Sequence, residues 1–209
     1  MAKSSHSFRR GGARFKPQPR VLILCEDSKS ALSYLQDASR HFRSHVVVQI
    51  AHCGRTDPLG IVEEAIAQRK DFEVIYCVID RDDHESFESA MVRSRDFVGK
   101  IKVVASYPCY EFWLLLHFRF TRAPVRAAGG QSAGARMLAA LRAEPGMQQY
   151  AKGSVTSVFE QLLHRLPTAM THAAQALAGA QVDQEPNPST ELHFLISELE
   201  RLGLPTSLV

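Results

Sequence analysis

The chain has 209 residues, of which 45% are hydrophobic and 22% charged, enough apolar material for a buried core and too much for wholesale disorder. Its apolar runs, such as Phe112–Leu116, fall far short of the ~20 residues of a membrane span, and no apolar segment follows the basic N-terminus to make a secretory signal. Cys25, Cys53, Cys77 and Cys109 are widely spaced with no CxxC pair, which excludes a disulfide framework or zinc knuckle and fits a reducing cytoplasm.

The net charge of +3 is uneven. Six of the 25 bases lie in residues 1–20, with no acid, leaving 19 bases against 22 acids in the rest. Residues 1–19, with Gly11, Gly12, Pro17 and Pro19, read as a flexible basic arm that can touch nucleic-acid phosphates or act only as a solubilising tail.

From Arg20 onward the elements alternate. Val21–Leu24 is an apolar strand closed by Cys25-Glu26-Asp27, and Ser28 is placed to cap a helix bearing Leu32, Leu35 and Phe42. Val46–Ile50 is a second strand. Asp57-Pro58 opens a second helix with Ile61, Val62, Ala65 and Ile66 on its apolar side. Val74–Ile79 is a third strand, ending in Asp80-Arg81-Asp82-Asp83; Ser86 precedes a helix with Phe87, Met91 and Val98, and Val103–Ala105 is a fourth strand. This β-α-β-α-β-α-β order predicts an α/β fold, a parallel sheet of about four strands flanked by helices, over residues 20–120. Residues 121–209 read as a C-terminal helical extension packed on it, with helices near 134–143, 154–165, 168–180 and 189–202.

In such a sheet, reactive groups gather beyond the carboxyl ends of the strands. Glu26, Asp80, Asp82, Asp83 and, after the fourth strand, Glu111 fall there. Asp80 and Asp82 point the same way in extended chain, and their repulsion is relieved by a cation between them. Oxygen donors without His or Cys suit Mg²⁺ or Mn²⁺, so Glu26, Asp80, Asp82 and Asp83 are the candidate metal ligands. Glu26 is a ligand or general base; Glu111 is a candidate for a second metal position; Lys29, near a helix N-terminus, is a candidate to hold substrate phosphate, with Arg55 and Arg81 as further phosphate contacts. Each acid also has an ordinary role open to it, as turn former, cap or first-turn helix residue. His84 and His117 are candidates to reach a metal, with an ordinary satisfied or exposed histidine the alternative for each, and Trp113 reads as core.

Glu26 ending one strand and Asp80-x-Asp82 ending another resemble a Toprim domain, the metal-binding fold shared by topoisomerases, primases and OLD nucleases. Val21-Leu-Ile-Leu-Cys-Glu26, Cys77-Val-Ile-Asp80-Arg-Asp-Asp-His84, Tyr107-Pro-Cys-Tyr-Glu-Phe-Trp-Leu-Leu-Leu-His117 and Asn187-Pro-Ser-Thr-Glu-Leu-His193 more narrowly resemble the RloB-like family. That resemblance implies a metal-dependent nuclease, similar to the nuclease half of OLD enzymes and tied to restriction and abortive-infection anti-phage systems. It implies a cytoplasmic protein acting on DNA or RNA beside an ABC/SMC-type ATPase partner, with no membrane role and with its oligomeric state open. By the same resemblance Glu26 matches the Toprim glutamate, Asp80 and Asp82 its metal-binding pair, and Glu111 the Pro-Cys-aromatic-Glu segment. One departure is Asp27, where Toprim strands often carry glycine.

Two other readings compete: a metal- or nucleotide-binding Toprim subunit without turnover, and a receiver-like phosphoacceptor built on Glu26-Asp27 and Asp80. The receiver needs a lysine after a fifth strand, which the sequence does not offer. No GxxxxGK[ST] loop is present, so the chain is not itself a P-loop ATPase. If the basic arm grips phosphates, deleting residues 1–19 weakens nucleic-acid binding and flattens its dependence on salt in a filter-binding titration; unchanged binding reduces the arm to a solubility feature.

Overall fold

A computed structural model describes residues 19–81, 84–153 and 156–204. Most of the basic arm, and Asp82 and Asp83, lie outside the described residues. The first half alternates β1 (Val21–Cys25), α1 (Ser30–His41), β2 (Val48–His52), α2 (Pro58–Gln68), β3 (Val74–Asp80), α3 (Phe87–Arg95) and β4 (Ile101–Tyr107). A short α4 (Glu111–Leu115) follows, then α5 (Ala133–Arg142), α6 (Val158–Leu162), α7 (Leu166–Asp183), β5 (Ser189–Thr190) and α8 (Leu192–Gly203). Among the described residues no helix is long and apolar enough to cross a membrane.

The strand order is β2-β1-β3-β4-β5. The first four strands are parallel; β5 runs antiparallel to β4, pairing Ser106 with Thr190 and Tyr107 with Ser189. The sheet therefore has five strands rather than about four, and its fifth is reversed. Ser189–Thr190 is strand where the sequence suggested the start of the last helix. Two residues carry no readable period, and the pairing is fixed by tertiary bonds: the Ser106 and Thr190 hydroxyls lie 2.9 Å apart, while Glu191 takes the Ala105 amide on Oε2 at 2.9 Å and returns its own N–H to the Ala105 carbonyl.

Strand alternation divides the core in two. Val21, Ile23, Cys25, Tyr76, Val78 and Val104 face one side, where α1, α4 and the later helices pack. Leu22, Leu24, Ile75, Cys77, Ile79 and Ala105 face the other, under α2 and α3. Burial on both faces explains why β1 and β3 read as unbroken apolar runs. Trp113 is fully buried in the first cluster, so the aromatic run of α4 is core.

Local details depart from the sequence reading in three places, and one loop contact is new. A 3-10 turn at Ser44–Val46 delays β2 by two residues, to Val48–His52. The amides at the start of α1 are taken by Asp27, not Ser28: Asp27 Oδ1 accepts from Lys29 N at 2.8 Å and Oδ2 from Ser30 N at 2.7 Å. Ser86 holds the N-cap position of α3 but makes no side-chain cap bond, and Val98 lies beyond that helix, exposed. Asn187 fastens a loop: its Nδ2 donates to the Val125 carbonyl and its Oδ1 accepts the Val125 amide, pinning the stretch after α4 against the lead-in to β5.

His117 is buried at the centre of the first cluster, and its ring is fully used. Nδ1 lies 3.1 Å from the Trp113 carbonyl, to which it must donate, leaving Nε2 to accept from the Tyr34 hydroxyl at 3.3 Å. That arrangement needs the neutral ring, and burial lowers its pKa from 6.5 to about 4. A depressed histidine favours the fold above its unfolded pKa, and that favour is lost as pH falls. The fold should lose up to about 3 kcal/mol between pH 6.5 and pH 4 from this residue, and His117→Gln should flatten that part of a plot of melting temperature against pH.

Candidate functional site

Glu26 is the first residue past β1, and its amide continues the ladder by donating to the Val78 carbonyl of β3. Register then does the rest: Cys25 lies opposite Val78, so the Glu26 side chain reaches the end of β3, where Oε2 accepts the Asp80 backbone N–H at 2.9 Å. Its other oxygen lies 2.9 Å from His84 Nε2. Glu26 and Asp80, 54 residues apart in the chain, thus meet at the carboxyl edge of adjacent parallel strands. Of the two histidines near this region, His84 sits at the site and His117 serves the core.

Glu111 joins them from the other side. It opens α4 just after β4 and is 1% exposed. Asp80 responds to its surroundings. Burial first, then the Glu26 and Glu111 charges, push its carboxyl well above the usual range, against the Tyr110 backbone amide and Lys152, which pull the other way. The carboxylates are therefore in mutual repulsion, partly offset by one ammonium.

That ammonium was not predicted. Lys152 Nζ stands 3.2 Å from Glu111 Oε1 as an ion pair, with the lysine side chain 48% exposed. Burial draws its pKa down, but Glu111, with help from Asp80 and Asp27, outweighs this and holds it above the ordinary lysine value. Its segment is anchored on both sides. Tyr150 is buried, donates its amide to the Met147 carbonyl and gives its own carbonyl to Arg142 Nε of α5 at 2.9 Å. Gly153 has φ +82° and lies against the Lys29 side chain; an added Cβ would come 3.2 Å from Lys29 Cδ. Only glycine takes both that backbone and that approach without strain. The one sequence signal was a Lys-Gly pair in a stretch between helices, with no periodicity to mark it.

Lys29 itself is exposed, with its aliphatic stem on Gly153. It lines a pocket with Ser30, Tyr110 and Tyr150, whose hydroxyls are buried. The helix N-terminus expected to attract phosphate beside Lys29 is already occupied, since Asp27 takes its first amides. Asp27 in place of glycine is thus a helix cap whose charge also bears on Lys152. Arg55 is exposed. Arg81 stacks over Phe87, donates to the His84 carbonyl at 3.3 Å and faces Glu88 at 3.8 Å. Cys109 is held as a neutral thiol by burial, with Glu111 and Asp80 adding to the effect, so it is no nucleophile.

Among the described residues no three His, Cys, Asp or Glu side chains are grouped to share one metal ion. Glu26 and Asp80 bring two carboxylates together, which is the number Mg²⁺ commonly takes while keeping its remaining waters. The crowding that raises Asp80 is also relieved by a cation, so the donor set fits a hard divalent ion. Asp82 and Asp83 belong to the undescribed residues and add nothing to this test.

A carboxyl whose pKa is raised by folding costs the fold stability above its unfolded pKa and costs nothing below it. Asp80→Asn should therefore raise the melting temperature of chelator-treated protein at pH 7, and the gain should vanish near pH 3. A lower melting temperature at pH 7 would show that the carboxylate is stabilised in the fold rather than strained.

No curated protein and no solved structure matches the chain. The model of one family, described as RloB-like protein, matches residues 21–199, from the first residue of β1 to the buried Leu199 of α8. The match spans both sides of the sheet and every described residue of the acidic centre: the chain belongs to the RloB-like family.

Proposed function

We propose that the chain is a Mg²⁺- or Mn²⁺-dependent phosphodiesterase, a nuclease subunit of an anti-phage system working with an ABC/SMC-type ATPase. The observation that carries this reading is the convergence of Glu26, Asp80 and Glu111 at one sheet edge, with Lys152 among them. Glu26 and Asp80 would hold the ion, with Asp82 as a further ligand by the family resemblance. The ion, when bound, supplies Lewis-acid polarisation of the phosphodiester and a bound water of lowered pKa. The chain's own residues do the rest. Lys152 presents a fixed positive charge to the phosphate, Lys29 adds a second at the rim, and His84 steadies the Glu26 carboxylate.

A cleft lined by Arg81, Tyr107, Pro108, Arg126 and Asn187 adjoins the end of β3. Its two arginines suit the backbone of a nucleic acid, whose phosphates they would grip without reading sequence. The mild acidity of the body leaves further grip to the ATPase partner or to the N-terminal arm.

The receiver-like reading loses its support, because β5 is antiparallel, two residues long and followed by Glu191 rather than lysine.

Purified chain, mixed with its ATPase partner, should cleave nucleic acid only when Mg²⁺ or Mn²⁺ is present. Asp80→Ala should abolish cleavage, by at least about a hundredfold, while circular dichroism stays unchanged. Absence of cleavage with either metal, across single- and double-stranded DNA and RNA, favours the non-catalytic subunit instead.

A further inference from the structure

Glu111 is the most deeply buried acid of the centre, and among the described residues its one ion pair is with Lys152. Around it the structure is closed by Tyr110 and Tyr150, which are 2% and 6% exposed, and by Cys109. Mg²⁺ and Mn²⁺ dehydrate reluctantly and hold to carboxylates with several waters still attached. Glu111, 1% exposed and already 3.2 Å from an ammonium, offers such an ion little surface on which to keep its waters. The ammonium, by contrast, needs no coordination sphere, and its stem enters from the half-exposed side of Lys152.

We infer that Lys152 stands in the place of a second metal ion: the centre takes one divalent cation, at Glu26 and Asp80, and the Glu111 carboxylate is neutralised by the chain's own ammonium. This rests on the reading of Glu26 and Asp80 as a metal site. It replaces the expectation that Glu111 completes a second one. The chemical consequence is a division of labour. An ammonium offers positive charge and hydrogen-bond donors but does not acidify water as a divalent ion does, so water activation belongs to the Glu26–Asp80 side and charge stabilisation to the Lys152 side. The anchoring fits such a role. Tyr150 and Gly153 fix the turn that carries Lys152, so the charge is placed by the fold before any substrate arrives.

Counting bound Mn²⁺ on the full chain, by isothermal titration calorimetry with electron paramagnetic resonance of the free ion, tests this without reference to activity. Wild-type protein should bind one ion. Glu111→Gln should still bind one, with affinity changed less than about threefold. Lys152→Met should bind a second ion, which Glu111→Gln in the same chain should abolish; melting curves identify folded variants, and Glu111→Gln alone remains decisive if Lys152→Met does not fold. Two ions in the wild type, one of them lost in Glu111→Gln, would overturn the inference and leave the metal site standing. No bound ion at all in the wild type would overturn both.

Discussion

The structure turns on one backbone amide. Asp80 N–H donates to the Glu26 carboxylate across the seam between β1 and β3, and this bond exists because the two strands are adjacent, parallel and in a register that sets Cys25 opposite Val78. Shifting that register by one residue would exchange the two faces of β1, sending Val21, Ile23 and Cys25 to the α2–α3 side and Leu22 and Leu24 to the other. The hydrophobic pattern of the strands therefore positions the acids.

The result is a site whose charges are at odds in the isolated chain. Three carboxylates share one edge, and Asp80, its carboxyl pushed above the usual range, is held there by core packing beneath it. Such crowding is tolerated where something else benefits, and here the arrangement suits a hard cation and a phosphate ester. The later helices are part of this balance and not only a cover for the sheet. They share a hydrophobic cluster with α1 and α4, and the turn between α5 and α6 delivers Lys152 to Glu111. Asp27 works in the same direction from α1, capping the helix while adding to the field that keeps Lys152 charged.

Much of this was legible in the residues. β1 and β3 read correctly because strands buried on both faces are continuous apolar runs, and Glu26 and Asp80 were visible as the acids that end them. Pro58 marked the first turn of α2, and the structure adds that Asp57 caps it, accepting the Gly60 amide on Oδ1. What escaped was set by partners far along the chain. β5 is two residues long and exists through Ser106, Ala105 and Tyr107. Lys152 lies in a turn without period, and its place depends on Arg142, Met147 and the Lys29 stem. Asp27 and Ser28 are equally good caps in the sequence, and only the path of the chain leaving β1 selects the aspartate. Glu111 was open in the sequence as a second metal position or as an ordinary first-turn acid; its burial and its pairing with Lys152 depend on tertiary packing that no local pattern shows.

The most direct measurement is anomalous diffraction at the manganese edge from crystals soaked in Mn²⁺. The account predicts a peak bounded by the Glu26 and Asp80 carboxylates, with the Lys152 ammonium still beside Glu111. Density showing no ion there at saturating Mn²⁺, with Glu26 and Asp80 unchanged in position, would contradict it.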